Sequence, residues 1–227
     1  MSNINNNKAF RLLPSVALSK EMLSNLQQIN KNYKKSADFA KYMRDLGDLF
    51  GVSTVQVTED HKKFLAGFLE GEASTNVSAK KLATAVFGVI LDPEFSITQH
   101  VNGFSTLYLA LSIFRTGRIR HKTGSNATLV FVIDNRDSLE QKVVPYYKKY
   151  VKPYGSAAKA ERLDNFIKLL NLFNKDGHKD VKTFRDEMLP IWHAMRMQQG
   201  QSNETFSSLA EAQQYVTDFV NNKNKTQ

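Results

Sequence analysis

Hydrophobic positions recur along the chain with two periods, and the switch between them predicts its elements. Residues 1–15 are polar and Asn-rich, read as a frayed start. Residues 19–30 and 36–50 carry helical spacing, with Phe39, Tyr42, Met43, Leu46, Leu49 and Phe50 forming an apolar stripe. Thr58 is placed to cap a third helix that has Glu59 in its first turn and runs to about residue 71. The period then falls to two. Asn76, Ser78 and Lys80 alternate with Thr75, Val77 and Ala79, and residues 91–98 alternate in the same way. Both read as half-buried antiparallel strands. Ser105 opens a helix expected to stop at Gly117 in a left-handed cap. Two strands follow at 118–122 and 127–133, joined by a Thr123-Gly124-Ser125-Asn126 turn. Asp137 with Glu140 resembles a capping box, Pro145 is expected to kink the helix behind it, and helices fit 156–174, 180–199 and 208–220. The order gives an α+β fold, divided as an N-terminal helical extension over 1–57 and a main domain with C-terminal helices over 58–227.

Charge narrows the class of partner. The 227 residues hold 31 Lys and Arg against 22 Asp and Glu, a net +9 that favours an anionic partner such as nucleic acid. The hydrophobic share of 41% supports a packed core rather than a disordered chain. With no cysteine, disulfides and thiolate zinc sites are excluded and a reducing compartment is expected. No apolar run reaches the length of a membrane span, so no membrane partner is expected. The start carries neither a secretory nor a transit pattern, so the protein is expected to act where it is made.

The polar face of the strands has its own character. Outward positions include Asn76, Ser78, Lys80, Asp92, Glu94, Ser96, Arg118, Arg120, Lys122 and Thr128. Three basic residues on successive outward positions of one short strand exceed what solvation requires. Long hydrogen-bonding side chains on a ribbon suit the edges of bases in a major groove. DNA, RNA and a plain solvated surface all remain open on this pattern alone.

The chemistry concentrates in residues 64–74, FLAGFLEGEAS. Gly67 and Gly71 stand one helical turn apart, where each costs about 1 kcal/mol relative to alanine. Close approach of a second helix is the usual reason for such glycines. Glu72 falls where the helix ends, beside carbonyls that lack donors and at the negative end of the macrodipole. A carboxylate and a backbone carbonyl together make hard-oxygen ligation of the Mg²⁺ type. A buried helix with acidic, solvated ends is the bland alternative.

Residues 65–73 resemble the LAGLIDADG signature, and LDPEFSITQHVNG (91–103), TGRIRHKTGSNATLVFVIDNR (116–136) and LPIWHAMRMQQGQSNE (189–204) extend the likeness. The chain is similar to LAGLIDADG homing endonucleases, in particular the single-motif, homodimeric type encoded in chloroplast group I introns of large-subunit rRNA genes. The resemblance implies an αββαββα fold with a saddle-shaped antiparallel sheet and double-stranded DNA as partner. It implies a homodimer packed through Ala66, Gly67, Phe68 and Gly71, and Mg²⁺ held by Glu72 with the Gly71 carbonyl. No small-molecule cofactor is implied. Glu70 takes the first acidic position, a structural one. Gln99 corresponds to a glutamine that orders the attacking water, and Lys159 to a pocket lysine, with Lys152 as its competitor. Some relatives have arginine four residues after that glutamine. Here Gly103 stands there, with Arg118 or His100 as possible substitutes. DNA contacts are expected from Arg118, Arg120 and Lys122, then Lys80, Ser78, Asn76, Ser96 and Glu94.

The five histidines show no metal-ligand spacing, and Trp192, Met195 and Met197 read as core. Three functions stay in view: a site-specific DNA endonuclease that promotes intron homing and leaves 3′ overhangs; an intron-RNA-binding maturase; and a basic interaction protein. Glu72 and Gln99 favour the first, whose product is then expected in the chloroplast.

Overall fold

The computed structural model describes residues 10–13, 16–196 and 205–225. They divide into two compact units, Met1–Ser74 with Phe95–Gly155 and Thr75–Glu94 with Ser156–Gln227. The reading of residues 1–15 falls mostly outside the described residues, as does Met197.

In the first unit, α1 (Lys20–Asn32) starts where the Ser19 side chain accepts from Met22 N–H. Helix α2 (Phe39–Phe50) buries Tyr42, Met43, Leu46 and Phe50 and ends at Gly51, whose φ of 66° suits glycine. The N-terminal helices, read from the sequence as an extension ahead of residue 58, belong to this unit. Motif helix α3 (Glu59–Glu72) opens as expected: the Thr58 hydroxyl accepts from His61 N–H, and His61 Nδ1 accepts in turn from Thr58 N–H. Helix α4 (Phe104–Phe114) is apolar nearly all round because it packs on α2, α3 and strand β4 (Thr128–Ile133).

The strand order is β1-β2-β4-β3, with β1 at Ala73–Lys81, β2 at Val89–His100 and β3 at Arg118–His121. Within the first unit, β4 lies antiparallel to both β2 and β3. Strand β3 is an edge, and its outward backbone groups are met by side chains from the helices. Tyr42 OH accepts from Ile119 N–H at 2.8 Å, and Asn30 Nδ2 donates to Ile119 O at 2.9 Å. An uncovered edge invites pairing with another chain, and α1 and α2 prevent it here.

In the second unit, Thr75–Lys81 of β1 alternates as expected, with Thr75 and Ala79 buried and Ser78 and Lys80 exposed. Its core joins Phe87, Val89 and Leu91 to Leu169, Phe173, Trp192, Phe206 and Val216. Arg162, on the helix Ala157–Asn174, donates to Thr75 O at 2.7 Å, to Met195 O at 2.8 Å and to Asn76 Oδ1 at 2.6 Å. Trp192 and Met195 are buried, as their spacing suggests. No helix of the described residues is long and apolar enough to cross a membrane.

Several local expectations are corrected. Arg115, not Gly117, is the left-handed residue that ends α4, with φ 51°. Gly117, at φ 91°, belongs to the next turn, where a Cβ would lie 2.6 Å from Val132 O. Asn135, not Asp137, caps the following helix, its Oδ1 accepting from Ser138 N–H. Pro145 does not interrupt that helix. Arg136–Ser138, Leu139–Val143, Val144–Tyr146 and Tyr147–Val151 run on without a break, alternating α and π turns. The helix expected to reach 199 ends at Ala194.

Candidate nucleic-acid interface and metal centre

Helix α3 sorts its residues by what lies behind it. Leu65, Ala66 and Leu69 face the unit's core. The 144–151 stretch holds the helix from one side, with the Tyr146 hydroxyl donating to Lys62 O and the Tyr150 hydroxyl to Glu59 Oε2. Burial, then the repulsion of Glu70, pushes the Tyr147 phenol up. Opposite this packing is an open stripe. Phe64 is 59% exposed, Gly67 and Gly71 are exposed, and a Cβ built on either glycine meets nothing within 4 Å. Of the four residues expected to face a partner, Gly67, Phe68 and Gly71 retain accessible surface. Ala66 is 6% exposed, its side chain already spent on the chain's own core.

Glu72 is the last residue of α3, exposed, and no hydrogen bond or ion pair engages it among the described residues. The carbonyls of this final turn, Gly71's among them, stand at the helix's electronegative end. These hard-oxygen donors suit a hard divalent cation rather than a softer metal. Among the described residues no group of three or more His, Cys, Asp or Glu is placed to bind a metal.

The register of the first unit's strands builds a polar face row by row. Ser96 lies beside Val132 and Val132 beside Arg118, while Thr98, Val130 and Arg120 form the next row. His100 pairs with Thr128, whose carbonyl accepts from Lys122 N–H. The expected residues Ser96, Arg118, Arg120 and Lys122 therefore share one face. Their availability differs. Ser96 is only 9% exposed. Arg118 donates to Tyr33 O at 2.8 Å and lies over the Tyr33 ring, 5.0 Å from its centre. Arg120 pairs at 3.6 Å with Asp134, an exposed contact that a phosphate can displace at little cost. Lys122 is exposed and carries no side-chain partner among the described residues.

The second unit holds Asn76, Ser78, Lys80, Glu94 and Lys159. Ser78 is exposed, Lys80 pairs with Asp92 at 2.7 Å, and Asn76 is clasped by Arg162. Because arginine only donates, that contact fixes which end of the Asn76 amide is oxygen. Lys159 sits in the first turn of the helix capped by Ser156, whose hydroxyl accepts from Lys159 N–H. Lys152 lies in the first unit, in the turn after Val151.

Gln99 lies one residue before the end of β2. Its Oε1 accepts from His100 N–H at 2.9 Å, and its side chain lies across Gly103. Sequence reasoning missed Tyr33, Tyr42, Asn30 and Arg162, which hold the edges and orient Arg118 and Asn76. Their partners lie more than 70 residues away along the chain, so no local pattern marks them.

The family model described as LAGLIDADG endonuclease matches residues 65–169. The DNA endonuclease I-CeuI of Chlamydomonas moewusii is 55% identical over 210 residues, covering 92% of this chain and 96% of the relative. The solved structure of the group I intron-encoded homing endonuclease I-CeuI complexed with DNA superposes with a TM-score of 0.88, over 91% of this chain and all of that one. An archaeal intron-encoded homing endonuclease, I-Vdi141I, also complexed with DNA, is 25% identical with a TM-score of 0.63, over 72% of this chain and 99% of that one.

Proposed function

The chain belongs to the LAGLIDADG endonuclease family, and from that premise we propose that it is a homodimeric, site-specific homing endonuclease that cuts double-stranded DNA with Mg²⁺. The observation that carries this reading is the end of α3: among the described residues Glu72 is exposed and has no partner, beside a stripe of Phe64, Gly67, Phe68 and Gly71 where a Cβ on either glycine meets nothing within 4 Å. A second copy laid on that stripe covers the apolar surface and brings two Glu72 carboxylates to one duplex.

Nucleases of this family are metal-dependent, and the choice of Mg²⁺ rests on the hard-oxygen character of Glu72 and the Gly71 carbonyl. When bound, a divalent ion activates water for in-line attack and neutralises charge on the leaving 3′ oxygen. The chain's own residues do the rest. Glu72 and Gly71 hold the ion, and Gln99 and Lys159 order the water. Arg118, Arg120 and Lys122, with Lys80, Ser78, Asn76, Ser96 and Glu94, bind phosphates and base edges. A net +9 per chain draws it to the polyanionic duplex. The likeness to an intron-encoded relative from Chlamydomonas moewusii supports intron homing and a chloroplast setting.

The test is to incubate the protein with Mg²⁺ and a plasmid carrying an intronless large-subunit rRNA gene, then map the ends. One double-strand break with 3′ overhangs is expected. An intact plasmid, with tight binding of group I intron RNA instead, overturns the reading in favour of a maturase.

A further inference from the structure

Gly103 stands at the start of α4 without a conformational reason to be glycine. Its φ of −95° and ψ of 17° are open to any residue, and it provides no side-chain cap. Space explains it instead. A Cβ at position 103 would fall 2.5 Å from Gln99 Cγ, 2.9 Å from Cδ and 3.3 Å from Nε2. The three nearest atoms all belong to one side chain, that of Gln99.

The other end of Gln99 is also fixed. Its amide oxygen accepts from His100 N–H at 2.9 Å, so the oxygen and nitrogen of the amide are assigned by chemistry. Nε2 keeps its two hydrogens, which meet no acceptor among the described residues. The corner that carries both residues is firmly held. Val101 is fully buried with its N–H on Ala127 O, His100 Nδ1 accepts from Asn102 N–H, and Asn102 exchanges two hydrogen bonds with the Leu12 backbone.

We propose that Gly103 is a positioning residue for cleavage: its missing side chain lets Gln99 fold across the start of α4, with its oxygen on His100 N–H, so that Gln99 serves as a hydrogen-bond donor. The oxygen it meets belongs to the attacking water or to a phosphate at the scissile bond. Bearing no side chain of its own to offer, Gly103 acts through Gln99. The inference rests on the proposed role of Gln99 in cleavage, and the experiment separates the two.

Gly103→Ala, Gln99→Ala, the double variant and Gln99→Glu are compared by single-turnover cleavage, DNA affinity and thermal unfolding. Gly103→Ala is expected to slow cleavage about 100-fold, the scale of a displaced active-site donor, with DNA affinity and melting temperature unchanged. The double variant should be no slower than Gln99→Ala, since the obstructed side chain is already gone. Gln99→Glu, which keeps the acceptor but loses the donor, should be as slow as Gln99→Ala. Full activity in Gln99→Ala refutes the role of Gln99 itself. Slow cleavage in Gln99→Ala but not in Gly103→Ala refutes the positioning role alone. A fall in melting temperature when Gly103→Ala is added to the Gln99→Ala background also refutes it, because the obstruction would then lie elsewhere.

Discussion

Replacing Tyr42 by phenylalanine removes one hydroxyl from the core and leaves the ring, which stacks on Tyr33 at 4.4 Å between centres. That hydroxyl serves two partners, accepting from Ile119 N–H at 2.8 Å and donating to Asn30 Oδ1 at 3.1 Å. Ile119 is fully buried on the outer edge of β3, so its N–H has no water to turn to. A buried donor left unpaired costs about 1–3 kcal/mol. Asn30 is half-buried, keeps its two donated bonds to Leu26 O and Ile119 O, and recovers part of its loss from solvent. The total comes to about 2 kcal/mol, which at a urea dependence of about 2 kcal/mol per molar lowers the unfolding midpoint by about 1 M. The assay is urea unfolding by circular dichroism at matched protein concentration, with Tyr42→Ala beside it. The alanine variant should lose about 3–5 kcal/mol, because the ring goes too. A midpoint shift under about 0.2 M for Tyr42→Phe, against that 1 M expectation, would show that the edge of β3 is satisfied some other way and that α1 and α2 do not guard it.

Gly67→Leu should break the dimer while sparing the subunit. A Cβ there meets nothing within 4 Å among the described residues, and leucine favours the helix by up to about 1 kcal/mol, so sedimentation should report a stable monomer; an unchanged dimer mass contradicts the packing. Burial raises the phenols of Tyr42, Tyr146 and Tyr147, helped at Tyr146 by Tyr150 and at Tyr147 by Glu70. A raised pKa ties the neutral form to the folded state, so its stabilisation is complete below the ordinary tyrosine value of about 10 and is lost as pH climbs beyond it. In an alkaline titration followed by phenolate absorbance, these three should ionise only as the fold melts; ionisation of all eight tyrosines with the fold intact refutes their burial.

Much of this arrangement is legible without coordinates because it is local. The Thr58 cap, the glycine spacing of α3 and the alternation of β1 and β2 depend on neighbours within a turn or two, and all appear where the residues indicate. The expectations that fail depend on remote atoms. Arg115 adopts a left-handed cap that no local rule assigns to arginine, while the crowding at Gly117 comes from β4. Asn135 wins the cap from Asp137 because the chain leaves β4 at that point. Gly103 is an unexplained departure until Gln99 is seen lying across it. Arg118 reads as a free base contact along the strand, whereas in space it is tied to Tyr33, 85 residues away.

The proposed cleavage requires Glu72 as the acid that holds the metal and not as a part of the fold. Glu72→Gln keeps the shape of an exposed side chain that touches no partner among the described residues, so folding, dimer mass and DNA affinity should all stay at wild-type levels. With the target plasmid and Mg²⁺, that variant should bind and protect the site yet leave both strands whole. Cleavage at the wild-type rate by this bound, folded variant would show that Glu72 is not the acid that holds the metal.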